Sequence, residues 1–418
     1  MTSSGFDIDS IPVTVIGHPW APIGMGEQLR SHLLAGNAVR LNQAVYDVFR
    51  YAQRTDAVHA RIVTPLEREN IPGGIRIFHV NGDEVEQVLA TLAARGQDLA
   101  ARGQDFAAGY NVIVPAWELP AYPAVWATQL RRFDEVWALS SFIQASLAAS
   151  GIASHLVGQA VESSAEALSG PFLPRRHFGI RESAFTLLSF FDLSSYASRK
   201  NPQAVVALFA MLRAALPWHD LQLVLKAKDG ERDAEDWARG IAADAQVKVL
   251  FQPLDSHGVR SLINACDCFV SLHRAEGFGR GPGEAMALGR LAMATGWSGN
   301  LDFMTPDNAL LVRHKPVRLR DGDYPHGLGQ SWADPSVPHA FQLLRDTLAD
   351  LPAGRAMAQR GQMDVLRSHG NRAVGLRILD RLHRIAADAP HLNSPPVVKP
   401  AAKGRRRRVV ATAAEQPA

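Results

Sequence analysis

Short apolar runs rich in β-branched residues alternate along the chain with amphipathic stretches. In the first half the runs are VTVIG (13–17), IRIFHV (75–80), YNVIVPAW (110–117) and EVWALS (135–140). In the second half they are AFTLLSFF (184–191), LQLVLK (221–226), VKVLF (247–251), CDCFVSL (266–272) and RLAMAT (290–295). Helical patterns such as NPQAVVALFAMLRAAL (201–216) lie between them. Strands that are apolar nearly throughout are covered on both faces, and their alternation with helices predicts parallel α/β sheets. Two such series predict two doubly wound, Rossmann-like α/β domains.

GPFLPRRHFGIRES (170–183) is a natural junction, because Pro and Gly break both element types. The predicted organisation is therefore a first domain over 1–175 and a second over 176–371. RAVGLRILDRLHRIAA (372–387) has apolar positions at helical spacing and predicts a final helix within 372–390. Prolines, few aromatics and a charge block give 391–418 the composition of a disordered basic tail. ARGQDLA (94–100) recurs once as ARGQDFA (101–107), which is too little for a solenoid.

Charge changes this picture in one place. The chain of 418 residues carries +3, of which the segment after residue 392 holds +5, leaving −2 for residues 1–392. The body is thus not a basic nucleic-acid-binding surface. The Arg405–Arg408 block reads as a solvated tail or a contact with a membrane surface. Cys266 and Cys268 are separated by one residue, a pair poorly placed for a disulfide. Together with an N-terminus, MTSSGFDIDS, that lacks signal-peptide character, this predicts a reduced, cytoplasmic protein.

The densest chemistry lies in HRAEGFGRGPGEAMALG (273–289), where Glu276 and Glu284 bracket Gly277, Gly279, Gly281 and Gly283. A buried strand precedes it, and Pro282 is placed to open a helix. Unpaired N–H groups near Gly279–Gly283 would then favour phosphate. A first-turn carboxylate at Glu284 would repel that phosphate, so it should turn to an uncharged donor such as a ribose hydroxyl. The bland readings are a tight glycine turn and a glutamate that complements the helix dipole. The combination favours a nucleotide or phosphosugar site.

E-G-F-G followed by a second Glu after seven residues resembles the E-x7-E signature of the retaining glycosyltransferases of family 4, which have the GT-B fold. ATGWSGNLDFMTPDNALLV (294–312) resembles the segment that follows that signature, and GMGEQLR (24–30) the first Gly-rich loop. VNGDE (80–84), VPAWELP (114–120), DEVWALSSF (134–142), FFDLSSYASRKNP (190–202) and GDYPHGLGQSWADP (322–335) resemble a bacterial subgroup that builds surface polysaccharide and O-antigen glycans.

The resemblance implies two Rossmann-like domains facing across a cleft, with the last helix packing back toward the first. It implies metal-independent transfer of a sugar, with retention, from a UDP- or GDP-sugar co-substrate to a glycan or lipid-linked acceptor. No other cofactor is implied; peripheral contact with the inner face of the membrane stays open, and nucleic acid is not an expected partner. Glu276 would hold donor-sugar hydroxyls and Glu284 the ribose. Arg199 and Lys200, just before a helix opened by Asn201 and Pro202, would grip the diphosphate as charge develops on it. Gly277, Phe278, Gly279, Arg280, Gly24 and Gly26 would complete the donor site.

Three positions depart from the family. Arg280 replaces a usual leucine and would contact the diphosphate or face solvent; Leu291 replaces a usual proline. Many relatives have a histidine where Trp117-Glu118 stands, so Glu118 serves the sugar, the acceptor or the structure. His79 reads as a core histidine. Asp321-Gly322-Asp323 spells the metal-binding D-x-D of other transferases, but its polar setting reads as a turn. GFGRGPG lies too late in its domain for a dinucleotide fingerprint. The rival classes are another GT-B enzyme, such as a nucleotide-sugar epimerase or sugar phosphorylase, and a non-catalytic glycan- or nucleic-acid-binding protein.

Overall fold

The computed structural model describes residues 11–72, 74–97, 109–192, 197–228, 240–241, 243–389 and 392. The tail at 391–418, apart from Leu392, lies outside the described residues, as do most of the seven-residue repeat and part of 190–202.

Six parallel strands form the first sheet: β1 (Val13–Gly17), β2 (Gln43–Asp47), β3 (Ile75–Phe78), β4 (Tyr110–Ile113), β5 (Glu135–Ala138) and β6 (His155–Leu156), in the order β2-β1-β3-β4-β5-β6. Six more form the second: β7 (Phe185–Asp192), β8 (Leu221–Lys228), β9 (Val247–Leu250), β10 (Cys268–Ser271), β11 (Leu291–Thr295) and β12 (Leu310–Val312), in the order β12-β11-β10-β7-β8-β9. These are two Rossmann-like α/β domains, as the alternating pattern predicts. An antiparallel hairpin, β13 (His314–Arg318) and β14 (Ser331–Pro335), follows the second sheet. Strand order reverses between β1 and β3 and between β7 and β10, and ligands of such sheets bind outside the strand ends at those points.

Several expected strands are shorter in the structure. β4 ends at Ile113, so Trp117 and Glu118 lie on a loop leaving the sheet. β5 ends at Ala138, because Ser140 turns to cap the next helix, its side chain accepting from the Ile143 N–H. β10 starts at Cys268, so Cys266 precedes the strand; both thiols are free and buried, and burial pushes both above the usual range.

β2, β6, β12 and the hairpin are not among the expected strands. β2 opens on Gln43, which is buried and donates to the Leu33 carbonyl at 2.8 Å, so a buried polar residue hides the apolar pattern. β6 and β12 have two and three residues, too few for a period to register.

The final helix runs Asn371–Asp388. Val374, Ile378, Leu382 and Ile385 fall on one face and join the core of the first sheet. Fully burying each such side chain is worth about 1.5–3 kcal/mol. A Cβ on Gly375 would sit 2.2 Å from the Ala35 carbonyl oxygen, so this helix crosses the Gly24–Ala38 helix with backbones in contact. The chain passes between the domains twice, at neighbouring places: Val161 N–H donates to the His369 carbonyl at 2.8 Å.

Candidate active site

Lys200 follows β7 and Glu276 follows β10, on either side of the second sheet's reversal point. Arg199 and Lys200 end a short helix, Ala197–Lys200. Asn201 then adopts a left-handed backbone (φ 53°), and its side chain donates to the Leu272 carbonyl at 3.1 Å instead of capping the Pro202–Ala215 helix. This bond ties the end of β10 to the basic pair.

The glycine-rich loop packs main chain against main chain. A Cβ on Gly299 would lie 2.0 Å from the Gly277 carbonyl oxygen, and one on Gly279, at φ +91°, would lie 2.8 Å from the Asn300 Cβ. Gly277 also abuts the Trp117 carbonyl of the first domain, and its own carbonyl accepts from Ser140 Oγ at 2.5 Å. The glycines thus answer to loop and domain packing. Phe278 is buried against Phe303 and His369 and does not reach the cleft. The helix starts at Arg280, capped by Gly279, two residues before Pro282. Proline is tolerated there because first-turn N–H groups have no helical partner.

Glu276 is 8% exposed. Lys200 Nζ donates to it, and Arg199 NH1 stands 3.5 Å away. Burial opposes its charge, but these two cations hold the carboxyl down at about 2. Arg199 NH1 also donates to the Ala275 carbonyl at 3.1 Å and lies 3.8 Å from Glu118. The other Glu118 oxygen accepts from Tyr324 OH at 2.5 Å.

Glu284 has a different setting. Arg280 reaches it at 2.7 Å and also reaches Glu27 of the first domain at 2.9 Å and Ser31 Oγ at 3.2 Å. Arg280 therefore spans the domains and does not simply face solvent. Burial pushes the Glu284 carboxyl above the usual range, with Glu27 and Glu162 adding to the rise against the pull of Arg280. Glu27 is held well below that range: burial opposes its charge, but Arg280, His59 and Arg30 more than offset it. A second bridge closes the same side, where Ser256 N–H and Oγ donate to Asp56 at 2.8 and 2.7 Å and His59 lies 2.9 Å from Ser256 Oγ.

A cavity of about 730 Å³ lies between the domains and is lined by Lys200, Glu276, Arg280, Gly281, Glu284, Phe190 and Phe269 from the second and by Trp20, Glu27, Arg30, Asp56 and His59 from the first. Its size suits a small-molecule site. Of the expected site residues, Glu276, Glu284, Lys200 and Arg280 line it. Arg199 and Glu118 pack behind Glu276, whereas Gly277, Phe278, Gly279, Gly24 and Gly26 do not line it. Gly24 and Gly26 belong to the first turn of the Gly24–Ala38 helix, not to a loop; Gly26 is there because a Cβ would meet the Ala21 carbonyl at 2.2 Å.

Sequence reasoning misses Glu27, although it stands inside GMGEQLR, because a first-turn glutamate reads as a complement to the dipole. It also misses Asp56, His59 and Ser256, which carry no local motif, and Tyr324, which stands inside GDYPHGLGQSWADP but has no role in the resemblance. A further pair it misses stands at the ends of the first sheet: His18, stacked on Phe49 at 3.5 Å, has Nε2 2.8 Å from Glu84. His79 is buried beside Gln28 at 3.0 Å, in keeping with a core histidine. Asp321 and Asp323 sit in a turn, with Gly322 at φ 84° and the Asp323 carboxylate accepting from Arg320 N–H at 2.7 Å. Among the described residues, no group of three or more His, Cys, Asp or Glu side chains is arranged to hold a metal.

The fold and this cleft define the GT-B class. Residues 186–316 match the family described as Glycosyl transferases group 1. The crystal structure of Anabaena HepE in complex with UDP-glucose is similar with a TM-score of 0.62 and 15% identity, over 90% of this chain and 100% of that one. Sucrose-phosphate synthase from Thermosynechococcus elongatus gives the same figures: TM-score 0.62, 15% identity, and 90% and 100% coverage. A trehalose-6-phosphate synthase, studied for glycosyl transfer with retention, is similar with a TM-score of 0.60 and 12% identity, over 89% and 99% of the two chains. No curated protein sequence matches the chain.

Proposed function

We propose that the protein transfers a sugar from a nucleoside-diphosphate sugar to a glycan or lipid-linked acceptor, with retention of configuration and without a metal. One observation carries the reading: Glu276 and Glu284 line a single interdomain cavity together with Lys200, within the segment that matches the group 1 glycosyltransferases. Glu284 holds the ribose hydroxyls. Lys200, backed by Arg199, meets the diphosphate, where negative charge grows as the glycosidic bond breaks. Glu276 holds sugar hydroxyls and favours the positive charge developing at the anomeric carbon. The attacking hydroxyl approaches on the face the diphosphate leaves, and a donor phosphate oxygen takes its proton, so no protein nucleophile is needed. UDP-sugars are the first donors to try, because HepE is bound to UDP-glucose. Work in the cytoplasm, at the inner face of the membrane, fits this chemistry; among the described residues no helix is long and apolar enough to cross a membrane.

The test is incubation with a panel of nucleotide sugars and acceptors, measuring released nucleoside diphosphate and the anomeric configuration of the product by NMR. Release that depends on acceptor, with the donor's configuration kept, is the expected result. Product of opposite configuration ends the retention reading, and binding of glycans with no turnover of any donor makes the protein a binding module.

A further inference from the structure

The hairpin loop between β13 and β14 lies beyond residues 186–316, yet it reaches into the surroundings of Glu276. The geometry points to Tyr324, on this loop, as a positioning residue for sugar transfer that acts through Glu118; the inference rests on the proposed function. Tyr324 OH donates to Glu118 Oε2 at 2.5 Å. The remaining oxygen, Oε1, is then turned toward Arg199 NH1, 3.8 Å away, and that same nitrogen stands 3.5 Å from Glu276. Glu118 thereby holds in place, from the first-domain side, the Arg199 guanidinium that backs Glu276 at the cavity wall.

The loop is built to hold that tyrosine. Gln330 both accepts from Ala121 N–H at 2.8 Å and donates to the Ala121 carbonyl at 3.1 Å, which clasps the loop to the segment carrying Glu118. His326 packs edge-on to Trp126 at 4.9 Å, and the Tyr324 ring packs edge-on to Trp117 at 5.6 Å. The ring is thus seated independently of its hydroxyl. Burial, and then the Glu118 charge, push the phenol far above its usual range, so it remains a donor at any working pH.

Tyr324→Phe removes the hydroxyl and leaves the ring. The expected result is kcat lower by about 10- to 100-fold, the worth of a hydrogen bond to a charged group, with calorimetric affinity for UDP and the melting temperature unchanged. In the double variant with Glu118→Ala, Tyr324→Phe should add no further loss, because the two act as one unit. An unchanged kcat, a loss that adds in full on Glu118→Ala, or a parallel fall in UDP affinity and melting temperature would each overturn the inference. The wild type and Glu276→Ala are run beside it. If the wild type turns over no donor, or Glu276→Ala turns over donor normally, it is the proposed function that fails.

Discussion

The two carboxylates of the cleft differ more than their shared motif implies. Glu276 sits between two cations and is held at about 2, while Glu284 shares one cation with Glu27 and is pushed above the usual range. One end of the cavity is arranged to keep a negative charge in place at little cost. The other keeps a carboxylate that the apo fold does not favour, as a group waiting for a ligand would be. The first takes two cations from its own domain; the second shares Arg280, of its own helix, with Glu27 of the first domain. The difference fits the proposed roles, chemistry at the Glu276 end and donor recognition at the Glu284 end.

The largest effect that can break this contrast is on rate. Glu276→Ala should lower kcat by about 10²–10³-fold, the usual cost of removing one group that acts on transition-state charge. UDP affinity should stay nearly the same, since UDP lacks the donor sugar that Glu276 would hold. Near wild-type transfer by this variant would reduce the glycine-rich stretch to a packing loop before a helix. Next, Glu284→Gln should weaken UDP binding by about 10- to 100-fold through loss of charge-assisted bonds to the ribose. Calorimetry giving an unchanged affinity would take Glu284 out of the site.

The sequence carries these two ends unequally. The second-domain wall is legible because its residues are consecutive: Glu276, the glycines and Glu284 form one motif, and Arg199-Lys200 forms another. The two domains are legible because strands buried on both faces are apolar throughout. The first-domain wall is not, because Glu27 stands on one helix and Asp56 and His59 at the start of another, and only the fold brings the two together. Glycine density suggested ligand contact, but a backbone that approaches another backbone, as at Gly277 and Gly299, needs glycine just as much. Tyr324 and Glu118 are 206 positions apart, and no local period can pair them.

A smaller effect sharpens the contrast through stability. The depressed Glu276 pKa means that its ionised form supports the fold above the usual carboxylate value; this support is lost as pH falls from 4.5 toward about 2. Glu284 has the opposite sign: its raised pKa means that the ionised form costs stability once pH exceeds both values. Glu284→Gln should therefore melt no lower than the wild type at pH 7 and is expected to melt somewhat higher, even as it loses UDP. Glu276→Gln should melt lower at pH 7, and its deficit should shrink on acidification. Thermal scans from pH 7 to pH 3 separate the two, and equal shifts in both variants would erase the distinction between the ends.

The smallest expected effect lies outside both ends. Asp323 neighbours Tyr324, and its carboxylate closes the turn on Arg320 N–H at 2.7 Å, while its main-chain carbonyl accepts from Ser198 Oγ at 3.4 Å. Asp323→Ala removes only the first of these, a local turn bond worth about 1 kcal/mol. The Gln330 clasp remains to keep the loop against the first domain, and the Ser198 contact remains to hold it to the second. Transfer should stay within about twofold of wild type, with or without a chelator, because about 1 kcal/mol of local turn stability need not reach the cleft. Activity that collapses in this variant or under chelation, and returns only with Mn²⁺ or Mg²⁺, would make Asp321-Gly322-Asp323 a metal site. It would also move the chemistry away from Glu276, since a cation on the hairpin loop would then supply the charge assigned to Lys200 and Arg199.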